Sequence, residues 1–173
     1  MSTADMTYVG GNAGANDLRA TNDPDGTLFN AGGGDDTLRG GRYDDILTGG
    51  EGDDKLFGGA GADQFRFFFD VVTGTDTDFI YDLNFSDGDT LVFGKFADGT
   101  FVDSVGVNGF TNGSAAQISS VEGIAALVNG ADDHWTATQK GSTDVLILSY
   151  TDGSKTETIH ISNAWASIEG FLL

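Results

Sequence analysis

GGRYDDILTGGEGDDKLFGGAGADQFR, residues 40–66, is rich in glycine and aspartate, yet an apolar residue interrupts it on a fixed beat. Leu47, Leu56 and Phe65 stand nine residues apart. Seven and six residues before them lie the pairs Gly40-Gly41, Gly49-Gly50 and Gly58-Gly59. Two residues before them lie Asp45, Asp54 and Asp63. Toward the N-terminus the beat continues through Leu38, Leu28 and Leu18, at spacings of nine, ten and ten. Asp36 precedes Leu38 by two residues, and Asn16 holds that place before Leu18. The unit is G-G-x-G-x-D-x-U-x, with U apolar.

Nine residues are too few for a helix and a return, but they suit a three-residue strand followed by a six-residue reversal. The central side chain of each strand turns inward. Glycines permit the positive φ of a tight reversal and let backbone carbonyls approach a ligand closely. Aspartates add hard oxygens, and calcium takes six to eight of these from carboxylates and carbonyls. The unit is the sequence signature of a calcium-binding parallel β-helix. The candidate ligands are Asp36, Asp45, Asp54 and Asp63, with the backbone of Gly32, Gly34, Gly41, Gly50, Gly52, Gly59 and Gly61. Two units make one turn, so Asp36 should stack on Asp54, and Asp45 on Asp63. Asp35, Asp44 and Asp53, one place earlier, read as solvated carboxylates. A flexible Gly/Asp linker would not keep its leucines in phase.

Residues 31–66 resemble the RTX repeats of bacterial proteins exported by type I secretion, through the units GGRYDDILT, GGEGDDKLF and GGAGADQFR. The resemblance implies an all-β chain folded as a right-handed parallel β-roll, several bound Ca²⁺ ions and a secreted, extracellular location. Some units depart from the pattern. Tyr43 replaces the third glycine of its unit, and Ala31 the first glycine of AGGGDDTLR. In GNAGANDLR, Asn16 fills the metal position. ATNDPDGTLF has ten residues; counting back from Leu28 puts Gly26 in the slot, and Asp25 substitutes if the extra residue bulges out. Weak calcium binding, or none, is expected of these first turns.

Beyond the repeats, DFIYDLNFSDGDTLVF (78–93) reads as two alternating strands around the turn Ser86-Asp87-Gly88-Asp89. It also resembles the segment that follows RTX repeats, matching at Asp78, Ile80, Asp82, Gly88 and Asp89; the resemblance implies calcium ligation by Asp82 and Asp89. Phe65, Phe67, Phe68 and Phe69 are expected to close the core. Residues 1–93 are therefore read as the roll with its closing strands, and 94–173 as a β-rich cap. In the cap, SSVEGIAALVNG (119–130) reads as one short helix with Ser119 or Ser120 as N-cap and Gly130 as stop. HWTATQK, DVLILSYT and KTETIHIS read as strands, the last two joined at Thr151-Asp152-Gly153-Ser154. The ending Glu169-Gly170-Phe171-Leu172-Leu173 resembles a type I export signal read by the secretion machinery; the plain reading is a last strand packed on the core.

The 173 residues carry 8 basic and 27 acidic side chains, a formal charge of −19. Nucleic acid is not the expected partner of such a surface. There is no cysteine, which excludes disulfides and zinc thiolates. The opening MSTADMTYVGG lacks the basic and apolar regions of a secretory leader, so export is expected by a route that needs none. No apolar run is long enough to cross a bilayer. Neither an HExxH nor a G-x-S-x-G motif is present. His134 and His160 read as surface residues, and Trp135 and Trp165 as packing residues that could otherwise stack on a sugar. The expected function is a non-catalytic calcium-binding module that folds on extracellular calcium and supports export. The alternatives are a polysaccharide- or surface-binding module, or a small enzyme with its site in 94–173.

Overall fold

A computed structural model describes residues 5–68, 74–97, 100–103, 116–130, 134–153 and 155–172. Its strands, in chain order, are β1 (Thr7–Asn12), β2 (Asp17–Arg19), β3 (Thr27–Gly33), β4 (Thr37–Arg39), β5 (Ile46–Thr48), β6 (Gly50–Glu51), β7 (Lys55–Phe57) and β8 (Gln64–Phe68). Then follow β9 (Thr75–Ile80), β10 (Thr90–Ala97), β11 (Thr100–Asp103), β12 (Ala116–Ile118), β13 (Trp135–Gln139), β14 (Val145–Asp152) and β15 (Lys155–Ser162). The helices are α1 (Val121–Val128) and α2 (Trp165–Ile168). The fold is all-β in class.

The strands form two mixed sheets. One runs β1-β3-β5-β8-β10-β11, with β6 on β3 and β12 on β10; the other runs β13-β14-β15-β9-β7-β4-β2. Strands of the repeats fall alternately into the two sheets, and within each sheet they pair in parallel. The register follows the repeat. Leu38 pairs Leu56 and Leu47 pairs Phe65, each eighteen residues on. Leu38, Leu47, Leu56 and Phe65 are fully buried, so the beat builds the interior between the sheets. Beyond the repeats, β10 continues the first sheet in parallel with β8, and β15 continues the second in parallel with β9. Only then do antiparallel pairs appear, β14–β15 and β13–β14 among them.

Residues 78–93 hold two strands about a turn: β9 and β10 lie in opposite sheets, with a 3₁₀ turn at Phe85–Asp87 between them. The closing segment keeps the alternation of the repeats because its apolar residues, Ile80 and Leu91, fill the same interior. Three expectations are corrected here, in the ten-residue unit, the cap and the C-terminus. In the ten-residue unit the register shifts by one. Leu28 pairs Ile46, and Phe29, fully buried, is the inward residue in place of Leu28. The cap holds a second helical segment, α2, besides the expected one. And the C-terminus is no strand: α2 runs into a 3₁₀ turn at Glu169–Phe171, leaving Phe171 45% exposed.

Ser120 is the N-cap of α1, accepting the Gly123 N–H at 3.2 Å; the C-cap is Asn129. Asp152 pairs Lys155 at the last hairpin. Phe65 and Phe67 are buried; Phe69 and the side chain of Phe68 lie outside the described residues. One hydrophobic cluster runs from Phe29 and Leu38 through Phe93 and Trp135 to Ile161 and Ile168.

Candidate metal centre

The reversals between strands stack along the two edges of the sheets. Each repeat aspartate is tied to the turn before it. Its Oδ1 accepts the backbone N–H of the residue one turn back: Asp36 from Asn16 at 2.6 Å, Asp54 from Asp36 at 2.8 Å, Asp45 from Thr27 at 2.7 Å and Asp63 from Asp45 at 2.8 Å. Asp36 thus stacks on Asp54, and Asp45 on Asp63. The ladders end on residues of the closing segment. Asp78 accepts from Asp54 at 3.0 Å and Asp89 from Asp63 at 2.9 Å.

Asp36, Asp45, Asp54 and Asp63 are all buried. At Asp36, Asp54 and Asp63 the second oxygen, Oδ2, is buried with no hydrogen-bond partner. A carboxylate is acceptor-only, so an orphaned oxygen there calls for a cation or a proton. Burial pushes Asp54 up to about 7, reinforced by Asp36 and Asp76 and opposed by the Asp36 N–H. Burial likewise raises Asp63 to about 7, with Asp89 and Asp45 adding to it. Asp36, Asp45 and Asp89 are raised for the same first reason.

Two loop forms occur. In loops 31–36, 49–54 and 58–63, the residues Gly32, Gly34, Gly50, Gly52, Gly59 and Gly61 have positive φ. In loop 40–45, Gly41 and Tyr43 do not. A tyrosine resists the left-handed region that the third glycine fills elsewhere. The loop instead folds so that the Gly41 N–H reaches Asp45 Oδ2 at 2.8 Å, satisfying the oxygen left open in the other loops. Asn16 behaves alike: its Oδ1 accepts the Asn12 N–H at 3.0 Å.

Loop 49–54 shows why the glycines are needed. A Cβ on Gly50 (φ 115°) would lie 2.0 Å from the Gly32 carbonyl oxygen, and one on Gly49 would lie 1.8 Å from Asp54 Oδ2. The space in front of that oxygen exists only because no side chain fills it. Gly50→Ala is expected to cost about 1–3 kcal/mol from backbone strain, and more from the clash with Gly32. Gly141→Ala, at φ 62° with nothing within 4 Å, should cost only about 1 kcal/mol. Thermal melts of both variants in saturating calcium check this.

The remaining candidates divide. Asp82 is half-buried, and its two oxygens accept the Gly58 and Gly59 N–H groups at 2.9 and 3.0 Å. Asp89 is buried, and its Oδ2 accepts the Asn84 N–H at 2.7 Å. Asp25 is exposed and stands outside the ladder; Thr27, whose N–H meets Asp45, occupies the slot of its turn. Asp35, Asp44 and Asp53 are exposed, yet they form an outer ladder, accepting from Asp53, Ala62 and Thr77 at 3.2, 2.8 and 2.9 Å. Sequence reasoning missed Asp76 and Glu157, and did not place Asp78 among the ligands. All three are buried, and each raised by burial first. Their signal was period-two alternation with Ile80 and with Ile159 and Ile161, which face inward.

His134 stacks on Tyr150, with centroids 5.8 Å apart, and His160 sets its ring edge to Phe79 at 4.7 Å. A recess of about 220 Å³ beside α1 is lined by residues such as Leu83, Ser86, Ile124 and Ser167, with no titratable side chain.

The comparison that decides the repeats is with known families: residues 30–65 match the RTX calcium-binding nonapeptide repeat, in four copies. The chain carries RTX repeats. The four copies contain Asp36, Asp45, Asp54 and Asp63, so the aspartates that stack along the edges are the repeat aspartates. No curated protein matches the chain. The RTX loops fit calcium on the chain's own terms: orphaned buried carboxylate oxygens, glycines that keep the space before them clear, and oxygen-only donors. Among the described residues no three acidic or histidine side chains converge on one point. Backbone oxygens would complete any coordination sphere in these loops. Among the described residues no helix is long and apolar enough to cross a membrane.

Proposed function

We propose that the chain is a non-catalytic calcium-binding module that completes its folding on extracellular calcium and supports export and folding of a type I secreted bacterial protein. In this reading residues 1–93 form a right-handed parallel β-roll, and residues 94–173 cap its open end. Parallel pairing at eighteen-residue intervals supports the roll. The observation that carries the proposal is the set of buried, partnerless Oδ2 atoms of Asp36, Asp54 and Asp63 at the corners of RTX repeats.

The chemistry follows from charge. A bound calcium ion supplies positive charge and takes up the orphaned oxygens. Where calcium is scarce, the carboxylates repel one another and the chain stays unfolded, in a form fit for export. Where calcium is at millimolar level the loops fill, and binding free energy becomes folding free energy. Asp36 and Asp54 on one edge and Asp63 on the other would hold separate ions, the glycines leave room for them, and the phased apolar residues bury the interior behind.

The expected affinity is about 10⁻⁴–10⁻³ M, as for extracellular calcium modules. Calorimetric titration with calcium, and separately with magnesium, tests the reading. Saturable binding of several calcium ions in that range, with magnesium much weaker, is expected; no calcium binding at millimolar concentration would end it.

The polysaccharide-binding alternative finds little support on the outer face of the second sheet. Phe57 and Tyr81 stack face to face at 4.5 Å, and Arg39 covers the Phe57 ring at 4.5 Å. Phe57 is thus covered by Tyr81 and Arg39, while Tyr81 is 38% exposed. Trp135 is buried, only 3% exposed.

A further inference from the structure

Beyond the RTX loops, a second group of carboxylates lies where the end of the repeats meets the cap. Alternation along β9 turns Asp76, Asp78 and Ile80 to the interior, with exposures of 9%, 4% and 0%. β15 lies beside β9, with Glu157 opposite Asp76 and Ile159 opposite Asp78. Glu157, only 4% exposed, therefore faces the same interior. Asp54, from the last loop of that edge, reaches the group through its N–H to Asp78 Oδ1 at 3.0 Å. The Asp78 and Glu157 carboxyls lie close enough for each to act on the other's charge.

This arrangement leaves three buried oxygens without a partner: Asp54 Oδ2, Asp76 Oδ2 and Glu157 Oε1. Arg19 and Arg39 pair with Asp17, away from this interior. Four carboxylates packed this way cannot all ionise in a dry interior without a cation.

We propose that Asp76, Asp78 and Glu157, together with Asp54, form a calcium site that fastens strand β15 of the cap to strand β9. The proposal rests on the calcium-module reading above, but the site differs in kind from the RTX loop sites. Glu157 comes from the far end of the chain, so the ion joins two segments rather than consecutive turns. The site is not preformed, since no three of these side chains converge on one point. An ion bound here would draw the free oxygens of Asp54, Asp76 and Glu157 inward. The cap then docks as the ion binds.

A terbium-substituted crystal of the unaltered chain tests the site, read by anomalous scattering. An anomalous peak about 2.3–2.6 Å from Asp76 and Glu157 oxygens is expected. Peaks at the RTX loops with none between Asp76 and Glu157 would overturn this inference and leave the module reading standing. No peak anywhere would overturn both. In solution, Glu157→Gln should bind one calcium ion fewer by equilibrium dialysis. The calcium midpoint for burial of Trp135, read by its fluorescence, should rise roughly tenfold or more. Should that variant fail to fold, Asp76→Asn serves, because the amide keeps the shape of the carboxyl and removes its charge. Unchanged ion count and midpoint would overturn the site.

Discussion

Asp54→Ala and Asp63→Ala are each expected to raise the calcium concentration required for folding by tenfold or more. Each aspartate does two things at once. Its Oδ1 holds the N–H of Asp36 or Asp45 on the turn before, and its Oδ2 stands buried with no partner. Alanine removes the ligand and orphans a buried N–H, which alone costs about 1–3 kcal/mol. A loss of 1.4 kcal/mol is a tenfold change in an equilibrium constant, so the hydrogen bond already reaches tenfold and the lost ligand adds to it. Asp25→Ala is the control. Its side chain is exposed and Thr27 fills the slot, so the change should stay within about 0.5 kcal/mol. Calcium titrations followed by circular dichroism measure all three variants. Unchanged midpoints for both Asp54→Ala and Asp63→Ala would sink the ligand assignment.

The second large effect concerns pH, and its sign depends on calcium. Without calcium, Asp54 and Asp63 hold protons up to about pH 7 in the folded chain; in the unfolded chain they release them near pH 3.9. Between those values the folded state binds more protons than the unfolded state, so stability falls as pH rises. Each such group contributes a slope of up to about 1.4 kcal/mol per pH unit across that window. Asp36, Asp45 and Asp89 act in the same direction. The calcium-free chain, a coil at pH 7.5, should therefore gain β structure and a measurable melt as the pH falls toward 5. With calcium the trend should reverse, because the ion binds the deprotonated carboxylates and releases their protons. Melts at the two pH values, in chelator and in millimolar calcium, decide this. A calcium-free chain more stable at pH 7.5 than at pH 5 would contradict it.

The regular repeats were legible because one nine-residue period fixes three things at once: the inward apolar residue, the turn glycines and the aspartate two places before. The pairing of Leu38 with Leu56, and the stacking of Asp36 on Asp54, follow from that period alone. Legibility failed where the period broke. In ATNDPDGTLF the count from Leu28 went astray because Phe29, the larger residue, takes the interior and pulls Thr27 into the slot. In loop 40–45 the sequence flagged Tyr43, but not that the Gly41 N–H would turn onto Asp45. In segment 78–93 the two strands and their turn were legible, but not that the strands enter opposite sheets, because a turn between paired strands and a crossing between sheets look alike locally. Long-range pairing decided it, through β8 beside β10 and β15 beside β9. Glu157 was hidden for the same reason. Its inward parity could be read beside Ile159 and Ile161, but its neighbours Asp76 and Asp78 lie far earlier in the chain.

The central claim is that calcium binding and folding of the repeats are one event. Far-UV circular dichroism of the chelator-treated chain, titrated with calcium and in parallel with magnesium, tests it most directly. A cooperative passage from a coil spectrum to a β spectrum at roughly millimolar calcium, absent with magnesium, is the predicted result. A β spectrum already complete in chelator and indifferent to added calcium would contradict it.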